Sequence, residues 1–262
     1  MGRNLHQYYY KDYFGEKPEE ILDPRDNQSR RRRIHASLNW EDTKCKENPL
    51  ILKKRNTRLT EGGLLKVIQK PVDTKDSFQL EIIYPGLVTG IGINHEATIE
   101  GEFKLGVHFD WTYGMPVVYG SSIKGVLKSY FKDIYTQKEG WPSAEDAIDD
   151  IFIGGKKSIY YRDIFFDAVI VEASKKGNGP ILCSDSITPH GDNPLKNPVP
   201  ITFLKIASGC KLEFRFKLVD TVIEKEGKTL KLTAIEKLKI FKDILTTVGI
   251  GAKTNVGYGQ LK

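Results

Sequence analysis

Residues 249–262 read Gly-Ile-Gly-Ala-Lys-Thr-Asn-Val-Gly-Tyr-Gly-Gln-Leu-Lys, and they restrict the fold more than any other stretch of the chain. Glycine tolerates positive φ and has no Cβ to keep a neighbour away, so four glycines in so short a span specify sharp turns and close backbone approach. The exposed N–H groups of such a loop can cradle an anion, with Lys253 as the point charge. A nucleotide-binding P-loop is excluded. Ala252 stands where that motif needs glycine, and the motif requires a strand before the loop and a helix after it.

Here the order is reversed. Residues 230–248 carry Ile235, Leu238, Phe241, Leu245 and Val248 at helical spacing. Thr233 and Glu236 have the spacing of a capping box. Residues 256–261 are too short for a helix and read as a closing strand. The loop therefore joins a helix to a strand.

A second glycine-containing stretch, Gly120-Ser121-Ser122-Ile123-Lys124-Gly125, opens another helix over residues 121–135. Ile123, Val126, Leu127, Tyr130, Phe131, Ile134 and Tyr135 fall on one face of it, with Ser121 or Ser122 as the N-cap. Free N–H groups at that end, together with Lys124 and Lys128, suit an anion, although capping alone explains the serines. Alternation marks strands at residues 77–84, 162–171, 201–206 and 211–220, the last with a wet face of Lys211, Glu213, Arg215 and Lys217.

Taking the strongest elements in order gives βαββαβ, the α+β ferredoxin-like arrangement that RNA-recognition domains also use. Two insertions extend it. One is a hairpin at about residues 95–118, and the other is a Gly-, Asn- and Pro-rich loop at about 174–200, of a length that is often functional. The domain is expected over 77–262, with residues 1–76 as an extension packed on it.

That extension carries Tyr8, Tyr9, Tyr10, Tyr13 and Phe14 among charges, which read as an arm packed on its own or a neighbouring subunit, base stacking being the other reading. Arg30-Arg31-Arg32-Arg33 follows, either a solvated face or a seat for a polyanion. The formal net charge of +6 permits such a partner without requiring one. The 3 cysteines, Cys45, Cys183 and Cys210, have no metal-ligand spacing, so no metal or other cofactor is expected. No apolar run is long enough to span a bilayer, and the N-terminus lacks a signal-peptide core, so a cytoplasmic protein is expected. His95 follows glycines, and His190 lies five residues after Asp185. Spacing alone pairs neither with a catalytic partner.

The two glycine-containing stretches together resemble the RAMP superfamily of CRISPR-associated RNA-binding proteins, whose hallmark is a glycine-rich loop between the second helix and the fourth strand. Asp185-Ser186-Ile187-Thr188-Pro189-His190, with Pro198-Val199-Pro200-Ile201-Thr202-Phe203-Leu204 after it, is similar to the sixth-subunit branch of the type III-B Cmr effector complex. The resemblance covers roughly residue 77 onward. It implies a non-catalytic subunit that caps a ribonucleoprotein filament near the 3′ part of the guide RNA. Its partners would be guide and target RNA, the repeating backbone subunit and the first Cmr subunit.

Cutting in such complexes belongs to the backbone subunit, through an acid in the loop after the first strand. Residues 85–94 contain no Asp or Glu, although Glu96 lies just beyond. The expected RNA contacts are Gly249, Gly251, Lys253, Thr254, Asn255, Gly257, Tyr258, Gly259, Gly120, Ser121, Ser122, Lys124, Lys128, His95, His190 and Arg30 to Arg33. The alternative is a metal-independent endoribonuclease that processes guide precursors with His95 or His190.

Overall fold

The computed structural model describes residues 49–61, 75–90, 102–104, 106–154, 157–188 and 200–262. In chain order the elements are α1 (Pro49–Thr60), β1 (Asp76–Glu81), β2 (His108–Phe109), β3 (Pro116–Val118), α2 (Gly120–Ile134), α3 (Ala144–Ile148), β4 (Ile164–Phe165), β5 (Ala168–Glu172), β6 (Leu182–Ile187), β7 (Ile201–Ile206), β8 (Lys211–Lys217), β9 (Thr221–Lys225), β10 (Lys228–Leu232) and α4 (Ala234–Val248). A π turn at Asp149–Ile153 and 3-10 turns at Ile159–Tyr161 and Thr254–Val256 complete them.

Strict alternation makes β8 the centre. Leu212, Phe214 and Phe216 are buried on one side of it, while Lys211, Glu213 and Arg215 are half-exposed on the other. β1 pairs antiparallel with β8, Phe78 opposite Phe214 and Leu80 opposite Leu212. The direct partners share a face, so the apolar sets coincide. On its other side β8 pairs with β5 and, beyond a break, with β4; β3 and β2 continue from β5.

The expected strand over 162–171 is thus two short pieces. Phe166 and Asp167 lie between them; the Phe166 N–H still bonds the Arg215 carbonyl of β8 at 3.1 Å, while the Asp167 side chain accepts the N–H of Gly120 at 2.7 Å. The closing strand is reduced further. Residues 254–256 turn as a 3-10 helix, and pairing survives only beside β1, where Leu261 bridges Ile82 and the Glu81 and Lys262 backbones exchange bonds of 2.8 and 3.0 Å.

α2 and α4 pack against each other, and α4 also packs on β1. Phe131, Phe216 and Phe241 are fully buried there, with Phe152 and Phe165 beside them, and each buried phenylalanine contributes about 1.5–3 kcal/mol. The predicted stripes need two corrections. On α2, Tyr130 is exposed. On α4, Ile235 points out at 80 % exposure while Lys237 is buried, because its ammonium bonds the Asp163 carboxylate at 2.6 Å and the Val219 carbonyl at 2.7 Å.

The capping box at Thr233 and Glu236 forms as expected, but it starts the helix at Ala234, since residues 228–232 pair with β9. Neither Ser121 nor Ser122 caps α2. Tyr119 occupies that position without a side-chain bond. Part of the expected loop at 174–200 is also ordered into sheet, with β6 pairing against β7 in unbroken register from Leu182 opposite Ile206 to Ile187 opposite Ile201. The polar faces of Ser184 and Ser186 hid this strand from the hydrophobic pattern.

Candidate nucleic-acid interface

The loop after α4 is built from its glycines. Gly249, Gly251, Gly257 and Gly259 all have positive φ, from +72° to +97°. A Cβ on Gly259 would run into the carbonyl oxygen of Ile250, and one on Gly251 into that of Val88. The glycines therefore serve close backbone packing as well as turning. Lys253 itself is left-handed at φ 61°, which is uncommon for a residue with a side chain.

Three backbone bonds fasten this loop to the turn after β1. Ala252 N–H donates to Val88 O at 2.7 Å, Gly259 N–H to Gly86 O at 2.8 Å, and Ile83 N–H to Gln260 O at 3.1 Å. The N–H groups of Gly251, Lys253, Thr254 and Asn255 have no acceptor among the described residues. Gly251 and Asn255 are exposed, and Lys253 and Thr254 half-exposed.

Tyr258 has a different place. Its ring is buried, and its phenol donates to Asp185 at 2.7 Å. The same carboxylate oxygen accepts from Lys205 at 2.5 Å, and the Lys205 ammonium sits 5.4 Å from the Tyr258 ring centre. Burial pushes the Asp185 carboxyl up, but the bonds from Lys205 and Tyr258 outweigh it and hold it below its ordinary value. Burial and that carboxylate push the Tyr258 phenol up to about 12. Tyr258 thus ties the loop to β6 and β7, and its hydroxyl is already used. Asp185, imagined from sequence as a partner for His190, is committed to this bond.

The second glycine element meets the first. Thr89, Gly90, Val118, Tyr119, Ser122, Val126, Gly251 and Ala252 line one cleft of about 260 Å³, so the start of α2, the turn after β1 and the C-terminal loop share a surface. Ser121 and Ser122 are exposed, Lys128 is exposed, and Lys124 lies half-buried with its ammonium 5.8 Å from the Phe165 ring centre. Gly120 is buried. Its N–H, the first of the helix, is taken by the Asp167 carboxylate, which also occupies the favourable end of the helix dipole. An incoming anion therefore finds more open donors on the C-terminal loop than on α2.

His108 is the residue that sequence reasoning missed. It stacks on Tyr119 with ring centres 4.7 Å apart, and its Nε2 lies where a Cβ on Gly90 would come within 2.5 Å of it. Burial holds the imidazole below its ordinary value, so it is neutral at pH 7. The only signal in the sequence was a histidine in the inserted hairpin, with nothing to link it to glycines before it or a tyrosine after it. His95, His190 and Arg30 to Arg33 lie outside the described residues. Among the described residues no cluster of His, Cys, Asp or Glu is arranged to hold a metal ion, and no helix is long and apolar enough to cross a membrane.

No curated protein matches the chain. A chain in the cryo-EM structure of the type III-B Cmr-beta bound to cognate target RNA is 22% identical, with a TM-score of 0.48 over 71% of this chain and 57% of that one. This chain therefore spans little more than half the length of that relative. Cmr6 from Pyrococcus furiosus is 20% identical (TM-score 0.33, 71% of this chain, 96% of that one). Cmr4 is 16% identical (TM-score 0.34, 71% and 97%). The model of the RAMP superfamily matches residues 79–262, from the middle of β1 through the glycine loop and well over half of the sequence, and the chain belongs to that superfamily.

Proposed function

We propose that this chain is a guide-RNA-binding, non-cutting subunit of a type III-B CRISPR effector complex, and that it caps the filament near the 3′ part of the guide. The observation that carries the reading is the cleft where both glycine elements meet, with Gly251 and Ala252 of the C-terminal loop in its lining and, further along the same loop, Lys253 and backbone N–H groups that have no acceptor among the described residues. Phosphate oxygens suit such donors, and contacts of that kind position RNA without reading its sequence. In the same reading the core is ferredoxin-like, with the C-terminal segment, β1, β8 and β5 side by side and α2 and α4 as its two helices. The partners are the guide and target RNA, the repeating backbone subunit and the first Cmr subunit, in the cytoplasm.

The test is purification of the tagged protein from its native cells, with sequencing of bound RNA and identification of co-purifying proteins. Short guide RNAs together with several glycine-loop subunits are expected. Recovery of the protein alone, free of RNA, would overturn the assignment.

One observation favours a second reading, a metal-independent endoribonuclease. A neutral imidazole, that of His108, stands at the edge of the same cleft. It requires cleavage of RNA that survives a chelator and disappears in His108→Ala.

A further inference from the structure

Tyr84 is held rigidly and buried hardly at all. The Ile83 N–H to Gln260 O bond precedes it, Gly86 N–H closes the turn onto Ile83 O at 2.9 Å, and the Gly259 N–H to Gly86 O bond follows it. Its backbone is therefore pinned to the C-terminal loop from both sides. The next residue, Pro85, places its Cδ 3.7 Å from where a Cβ on Gly257 would lie. Yet the ring of Tyr84 is 84% exposed, and its hydroxyl has no partner among the described residues. Val256, across the same loop, is 65% exposed.

So little of this residue is buried that it adds little to the core. The large aromatics of this part of the chain that serve the fold, Phe203 and Tyr258, pack edge to face against each other out of solvent. An exposed aromatic face on a turn hydrogen-bonded to the loop that carries the open N–H donors supplies the two parts that single-stranded nucleic acid engages, a surface for a base and a seat for its phosphate.

We infer that Tyr84 is a base-stacking residue: a nucleobase of single-stranded RNA lies on its ring while the adjoining phosphate takes the N–H groups of residues 253–255. This rests on the RNA-binding reading above and adds to it a contact that carries no charge. Charge and stacking have separable signatures. Loss of a phosphate contact lowers the slope of log affinity against log salt, whereas loss of a stacking ring lowers affinity at every salt concentration alike.

The experiment is binding of the full chain to fluorescein-labelled single-stranded oligoadenylate and to an abasic ribose-phosphate oligomer of the same length, across a salt series. Tyr84→Ala should weaken oligoadenylate binding about tenfold, with the slope unchanged and the abasic oligomer bound as before. Tyr84→Trp should keep full affinity. If the wild type binds oligoadenylate and Tyr84→Ala binds it equally well, the stacking role is wrong and the RNA-binding reading stands. If the wild type binds neither oligomer, both fall together.

Discussion

Two lysines at opposite ends of α4 divide the molecule. Lys237, in the first turn, is buried with its ammonium on Asp163 and the Val219 carbonyl, and Asp163 in turn accepts the Val219 N–H at 2.8 Å. Lys253, five residues beyond the last turn, stands half-exposed in a left-handed conformation beside N–H groups that have no acceptor among the described residues. In the first region, Lys237, Asp163 and Val219 bond one another, and the second leaves donors without acceptors among the described residues. Satisfied groups stabilise a fold, whereas open donors on a rigid loop are available to a ligand.

The contrast breaks most sharply at the buried pair. Burial pushes the Asp163 carboxyl up and the Lys237 ammonium down, so each depends on the other to stay charged. Removing one partner leaves an uncompensated buried charge. Lys237→Ala should cost about 3–5 kcal/mol in urea unfolding, and Lys237→Met with Asp163→Leu should recover most of it. A single substitution that left stability intact would show that water reaches the pair.

Next comes the backbone of the loop. Gly259→Ala adds a Cβ at φ +72° against the Ile250 carbonyl, and should destabilise by about 1–3 kcal/mol in the same measurement. Gly125→Ala, on the exposed face of α2 with open space around it, should be neutral or slightly stabilising.

A smaller effect belongs to Asp185. Its carboxyl titrates below its ordinary value, so the stability it adds is present above the unfolded-state pKa and is lost as pH falls through the lower, folded-state one. Asp185→Asn should cost about 1 kcal/mol at neutral pH and flatten the acid limb of a thermal-melt series. The smallest effect on stability is expected at the other lysine. Lys253→Gln keeps a Cβ at the same φ, so unfolding should shift by no more than about 0.5 kcal/mol. The slope of RNA affinity against salt should drop by about one, and an unchanged slope would remove Lys253 from the interface.

Much of this was legible in the chain. The alternation of β8, the capping box at Thr233 and the glycine loop all depend on near neighbours, and each stands close to where the pattern placed it. The misplacements share a cause. Ile235 is placed on the apolar stripe and Lys237 left off it because periodicity weighs polarity and knows nothing of Asp163, 74 residues away. β6 escaped notice because its polar residues face solvent or find partners elsewhere, as Asp185 does with Lys205 on β7 and Tyr258 in the C-terminal loop. Ser121 and Ser122 read as caps, but they lie within the first turn of α2, and Asp167 arrives from between β4 and β5 to take the N–H of Gly120.

By itself, then, the sequence determined that a helix must end in a loop with several left-handed residues, that a half-wet strand must lie against an apolar face, and that a lysine would stand among open turns. Those features follow from local sterics and side-chain period. Only the tertiary structure decided that the two glycine stretches share a cleft, that Tyr258 faces Asp185, and that His108 lies behind Gly90. Contacts between segments so far apart in the chain depend on how the sheet is ordered and how its loops are fastened, and no local pattern encodes that.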